Sequence, residues 1–330
     1  LNEDNTYTML RRGAAQTDRS HLARIVLGGS DRRTLLQGLL TNDVGALEPG
    51  AGCYAAWLTA QGRMITDLVV LELGDRVILL VPAALGGAVT AHLEDSIFSE
   101  DVTFEDEAGL YEHLGVDGPL AADTIDKVLG GSPARSTALY GSSTGTFQGA
   151  AVIAARTDWL GVPGFDLFAE VRAAGALRDA LTSAGAGVAD PSIMEVIRVE
   201  SGRPRFGRDM DEHTIPLEAG IEDRAISFTK GCYVGQEVIV RVLHRGGGRV
   251  ARRLVGLKLD RDAPPGTQIL ADAREMGRLT SVVRSPAVGV IALGYVGRDF
   301  IEPGTRVDLG GGGSAVVTRL PFVQPAEASE

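Results

Sequence analysis

The sequence predicts an α+β chain that ends in a small all-β module. Two observations carry this. Between residues 53 and 93 three apolar strands precede one helix, a β-β-β-α run in place of strict βαβ alternation. From Arg252 onward five short strands, 253–260, 267–271, 276–284, 288–296 and 305–308, are separated by Pro-Gly or polar turns with no helical pattern, the texture of a small barrel or sandwich. A length of 330 residues accommodates two domains, or three compact ones.

The elements follow in order. The apolar end of 18–29 predicts a strand closed by a glycine turn. Ser30 or Asp31 caps a helix from Arg32, with Leu35, Leu36, Leu39 and Leu40 on one face, and Thr41-Asn42-Asp43 ends it. Residues 53–58 and 64–73 are strands joined by Thr59-Ala60-Gln61-Gly62-Arg63, 76–82 is a third, and a helix runs from Pro82 to about Leu93. Residues 94–107 hold seven acids and no base, a solvated face around a short strand at 102–105. Residues 109–150 are weakly patterned and predict only short elements. Strands at 150–156 and 165–171 flank a Gly/Pro loop; helices span 173–184 and 191–200, the second opened by Pro191. The boundary to the β module is expected near Gly246-Gly247-Gly248, which divides the chain into 1–245 and 250–330. Residues 310–313, four glycines, read as a hairpin tip, and the tail from Pro325 as frayed.

Composition excludes several function classes. Lys and Arg number 32 against 43 Asp and Glu, a net charge of −11, so DNA coating is not expected. The longest apolar runs, such as Val77 to Val81, are too short to cross a bilayer. Two cysteines, Cys53 and Cys232, are too few for a disulfide scaffold or a self-contained thiolate metal site, and no metal is expected. The first residues lack a basic stretch followed by an apolar one, so a cytoplasmic location is expected.

Chemistry concentrates at Phe228-Thr229-Lys230-Gly231-Cys232-Tyr233-Val234-Gly235-Gln236-Glu237. Gly231 frees the backbone to present Cys232 on a turn, and Gly235-Gln236-Glu237 can open a helix whose amides, with Lys230, favour a thiolate. The alternative is a small buried hydrophobe, the reading preferred for Cys53. Residues 241–253 carry Arg241, Arg245, Arg249, Arg252, Arg253 and His244 without an acid: an anion-binding surface for phosphate, polyglutamate or RNA, or a basic rim balancing acids elsewhere. Glu200 closes an apolar helix. It suits the paired N–H donors of a flat amino-heterocycle, or an ion pair with Arg198 or Arg203.

Lys230 through Glu237 resembles the signature of the YgfZ family of folate-binding proteins, relatives of the glycine-cleavage T-protein, an aminomethyltransferase. Leu36 to Asp43, Gln61-Gly62-Arg63 through Asp67, Trp159 to Phe165 and Arg198 to Gly207 resemble other family segments in the right order. The resemblance implies a three-domain cloverleaf around a central folate channel, with a C-terminal small β-barrel. It implies tetrahydrofolate or a one-carbon derivative as cofactor, Glu200 on the pterin and Trp159 as a ring wall. Asn42, Asp67, Tyr233, Gln236 and Arg241 are further expected contacts; Cys232, Lys230 and Asp67 are the expected reactive groups. It also implies iron–sulfur client or assembly proteins as partners, with tRNA as a further one. Two departures stand out. The T-protein loop's Glu falls on Val162, and its Asp-Asp pair reads Thr66-Asp67. Three readings follow in order: a folate-dependent accessory factor for iron–sulfur proteins, a one-carbon transferase (aminomethyltransferase or demethylase), and an RNA-binding factor for tRNA modification.

Overall fold

Leu22–Gly28, Gly52–Leu58, Met64–Glu72 and Val77–Pro82 are runs of apolar and β-branched residues bounded by glycine or polar turns, and each forms a strand. The computed structural model describes residues 3–324 except 108, 132, 133, 136, 245–247 and 273. In it these strands and Thr103–Glu105 form an antiparallel sheet in the order Gly52–Leu58, Met64–Glu72, Val77–Pro82, Leu22–Gly28, Thr103–Glu105. Period two sorts the side chains between two covered faces. Leu68 and Val70 pack with Leu36 of helix Arg32–Leu39 and Val89 of helix Gly86–Glu94. Val69 and Leu71 point the other way into a central core, and Asp67 shares their face.

A second sheet runs Gly187–Val188, Ala15–Thr17, Tyr111–Asp117, Gly164–Glu170, Ala150–Thr157, Ser142–Phe147, antiparallel except for its first pair. Tyr111–Asp117, Ser142–Phe147 and helix Ala121–Leu129 give regular structure to the weakly patterned 109–150 stretch. Helices Ala121–Leu129 and Val171–Ser183 cover one face. From the other, Ala155 and Phe168 join Tyr54, Val69 and Leu71, so the central core lies between the sheets.

Helix Pro191–Glu200 begins at its proline and is capped by Asp190, whose carboxylate accepts Ser192 N at 2.8 Å. The barrel closes with six strands, not five: Arg252–Leu259, Gly289–Gly297, Arg274–Ser285, Gln268–Ala271, Arg306–Leu309, Ser314–Thr318. Gly311, Gly312 and Gly313 take φ of 83°, 97° and 98°, which only glycine adopts freely, and so reverse the chain into the sixth strand. That strand pairs with both Arg252–Leu259 and Arg306–Leu309 and leaves no open edge.

Of the expected boundary, Gly246 and Gly247 lie outside the described residues, as do Arg245 and the tail from Pro325. No helix among the described residues is long and apolar enough to cross a membrane.

Candidate functional site

A cavity of about 350 Å³ opens where the first sheet meets the loop after Ala150–Thr157 and the turn after Pro191–Glu200. Asp67, Trp159, Phe206, His21, Arg198 and Arg205 line it. Its size suits a small organic ligand.

Asp67 sits in the wall because period two turns it to the inter-sheet face. It is buried, and Tyr54 Oη donates to Oδ2 at 2.8 Å. Burial raises its pKa above the usual carboxylate range, and the Tyr54 bond only partly opposes this. Tyr54 is itself braced. It stacks on Tyr140 at 6.2 Å between centroids and lies 4.8 Å below the Arg224 guanidinium. Tyr140 Oη donates to Asp158 at 2.9 Å, and Asp158 also takes Arg203.

Trp159 forms a ring wall of fixed orientation. Its Nε1 donates to Asp166 Oδ2 at 2.8 Å, and Asp166 Oδ1 meets Arg19 Nε and His113 Nε2, each at 2.7 Å. Burial pushes the Asp166 pKa up, but Arg19 and then His113 outweigh it and hold the group ionised. Gly161 in the same loop has φ 74°, and a Cβ there would stand 2.3 Å from Ser201 Cβ, so only glycine lets the loop lie against the helix end. His21 is neutral at pH 7: burial, then Arg19 and Arg205, bring its pKa down to about 4.

Of the residues the sequence singles out, this cavity gathers Asp67 and Trp159. Glu200 is fully buried elsewhere. Its carboxylate accepts Tyr7 Oη at 3.0 and 3.1 Å, Ser285 Oγ at 2.5 Å, and an ion pair from Arg11. Those oxygens tie helix Glu3–Arg12 and the barrel to the core, and the ion-pair alternative holds with Arg11 in place of Arg198 or Arg203. Lys230 is turned to a helix end. Its Nζ donates to the carbonyls of Gln37, Leu40 and Asn42 at 2.7, 2.7 and 3.0 Å, and so closes the end of helix Arg32–Leu39; burial lowers its pKa to about 8.

Asn42 Nδ2 is spent on the carbonyls of Tyr54 and Arg224 at 2.8 and 3.0 Å. Tyr233 packs into the central core under Lys230. Gln236 opens helix Gln236–His244, and Arg241 on it pairs with Glu237 at 2.7 Å. Arg252 and Arg253 face Glu218 and Glu222. Cys232 is exposed and Cys53 buried. The glycine that shapes the Cys232 segment is Gly235, not Gly231. Gly235 has φ 84° and a Cβ there would lie 2.5 Å from Thr59 O, whereas a Cβ on Gly231 meets open space.

The family description "GCVT N-terminal domain" matches residues 4–230, and "Glycine cleavage T-protein C-terminal barrel domain" matches 252–324. The chain belongs to the glycine cleavage T-protein family. It is 31% identical to an aminomethyltransferase of Saccharopolyspora erythraea over 96% of this chain and 88% of that one. An aminomethyltransferase of Streptomyces coelicolor is 30% identical over 97% and 89%. A crystal structure of glycine cleavage system aminomethyltransferase T from Bartonella henselae superposes with a TM-score of 0.85 at 24% identity, covering 97% of this chain and 89% of that chain, a likeness of fold. The T-protein α+β fold with its closed C-terminal barrel is therefore the fold of this chain.

In this T-protein family member, sequence reasoning passes over His21 and the neighbouring pair Arg205 and Phe206, which reach the cavity from two distant segments. It also passes over helix Glu3–Arg12. Acids at its start, Arg11-Arg12 in its last turn and Gly13 just beyond are the signals that mark it.

Proposed function

We propose that the protein binds a reduced folate in the Asp67–Trp159 cavity and transfers a one-carbon unit, as a folate-dependent transferase of the aminomethyltransferase type. The observation that carries this reading is a buried carboxylate of raised pKa in the wall of a cavity with two aromatic walls. Membership of the family and relatives named aminomethyltransferase support it. A pterin fits the groups present: Asp67 accepts N–H donors, and Trp159 and Phe206 cover ring faces. Bound tetrahydrofolate would supply the nitrogens that carry the one-carbon unit, one in the pterin ring and one on the linker to the benzoyl group. With Oδ2 held by Tyr54, the remaining acceptor capacity of Asp67 serves the ligand. A carboxyl raised by burial holds and releases a proton closer to neutral pH than a free one does, the property of a general acid–base. Asp67→Asn is expected to lower methylene-tetrahydrofolate formation by about a hundredfold or more while tetrahydrofolate affinity changes less than about tenfold. Turnover within about threefold of wild type would remove Asp67 from the chemistry.

The finer YgfZ-type reading, support of iron–sulfur proteins, is the second. It rests on Cys232, exposed on a segment that the transferase reading leaves unused. Among the described residues no three His, Cys, Asp or Glu side chains gather as metal ligands, so a cluster would draw ligands from a partner. Cys232→Ser separates the readings: loss of iron–sulfur enzyme activity in cells with transferase turnover intact favours the second. The tRNA reading draws on the arginines of 241–253 and ranks third.

A further inference from the structure

Three basic side chains line the cavity, and two offer a ligand no free positive charge. Arg198 is buried with its donors taken. Glu195 receives Nε at 2.9 Å and Nη2 at 2.6 Å, Asp209 receives Nη1 at 2.7 Å, and Ser281 Oγ takes Nη2 at 2.7 Å. His21 is half-buried and uncharged at pH 7, its pKa brought down to about 4 by desolvation and then Arg19 and Arg205.

Arg205 differs. Its one ion-pair partner among the described residues is Glu195, 3.6 Å from Nη2 and beyond good hydrogen-bond distance. That carboxylate is already committed to Arg198 and faces Arg208 at 3.3 Å. Asp209, the second acid beside it, is committed to Arg198, to the Arg205 backbone N–H and to the hydroxyls of Thr280 and Ser281, and Asp67 across the cavity feels the Arg205 charge without forming an ion pair with it. Within ion-pair distance three guanidiniums thus share two carboxylates, and the charge without a close partner falls on Arg205, whose side chain is 36% exposed. A guanidinium with open donors in a cavity binds a carboxylate through its planar fork. Asp67 in the same cavity repels one.

We propose that Arg205 is the anion-binding residue of this cavity and takes a carboxylate of the ligand whose N–H donors face Asp67. The inference rests on the folate reading and extends it: the ligand carries donors at one end and a carboxylate at the other. That carboxylate comes from the glutamate tail of the folate or from an amino-acid co-substrate.

The test measures equilibrium binding of tetrahydrofolate, of 6-methyltetrahydropterin, which lacks the tail, and of N-methylglycine. Wild type, Arg205→Gln and Arg205→Lys are compared. Arg205→Gln is expected to weaken one carboxylate ligand at least about tenfold and to leave the tail-less pterin within about twofold, with partial recovery in Arg205→Lys. Loss confined to tetrahydrofolate assigns the tail; loss confined to N-methylglycine assigns the co-substrate. The wild-type advantage should shrink as salt rises to about 0.5 M. Unchanged affinity of Arg205→Gln for both carboxylates overturns the assignment of Arg205 and leaves the folate reading standing. So does equal weakening of the tail-less pterin, which marks a structural role. A wild type that binds none of the three overturns the folate reading and this inference with it.

Discussion

Glu200→Ala should unfold the protein more readily and spare its ligand. The wild-type carboxylate is fully buried, and Arg11 beside it is 8% exposed. Removing Glu200 leaves a guanidinium out of water and unpaired, a loss of about 3–5 kcal/mol. Tyr7 and Ser285 lose an acceptor as well, each worth about 1 kcal/mol. These terms overlap, so about 4 kcal/mol is expected, a large share of the roughly 5–15 kcal/mol that holds a domain folded. In guanidinium chloride that lowers the midpoint by about 1 M. Arg11→Met with Glu200→Leu removes both charges and should restore much of the loss. Tetrahydrofolate affinity, measured well below the unfolding transition, should stay within about threefold of wild type, since no Glu200 oxygen faces the cavity. An unchanged midpoint with abolished binding would refute this reasoning and place Glu200 on the ligand.

Four further outcomes are expected. Because the raised Asp67 pKa means that the folded state binds this proton more tightly, its contribution stabilises at low pH and is lost as pH rises through the folded value; Asp67→Asn should therefore raise the denaturation midpoint near pH 7.5, with the gain shrinking towards about pH 4. His21 has the opposite sign: its stability is present above its ordinary value of 6.5 and is lost as pH falls towards about 4, so His21→Gln should flatten the acid limb of a stability–pH curve. Lys230→Met should cost about 1–3 kcal/mol in a melt while Cys232 keeps its rate with a thiol reagent; a tenfold slower reaction would show that Lys230 activates the sulfur after all. Gly235→Ala should destabilise by about 1–3 kcal/mol and Gly231→Ala by less than about 0.5 kcal/mol, which thermal unfolding of the pair would check.

The sheet that holds Asp67 was legible because alternation and glycine turns are local signals. The strands Gly52–Leu58, Met64–Glu72 and Val77–Pro82 lie within a residue or so of their expected bounds. Trp159 and Asp67 could be singled out only through resemblance, since nothing local says that residues about 90 positions apart share a cavity. Glu200 shows the limit from the other side. Its sequence offers an open carboxylate, but its partners Tyr7, Arg11 and Ser285 lie far away in the chain. Lys230 shows the same limit: two positions from Cys232 in sequence, it donates to a helix end near residue 40 that local reading does not connect to it. The sixth barrel strand is missed because a five-residue run after four glycines carries little pattern of its own.

Asp209 also gives the barrel a part in the cavity. This one carboxylate holds the turn that bears Arg205 and Phe206, and it also accepts hydroxyls from the barrel strand Arg274–Ser285 at 2.5 and 2.8 Å. A ligand that immobilises the turn should therefore slow local opening of that strand, readable as amide protection in hydrogen exchange. By thermodynamic reciprocity, anything that clamps the barrel from outside tightens the grip on the ligand. A molecule docking there would adjust ligand occupancy without touching the cavity.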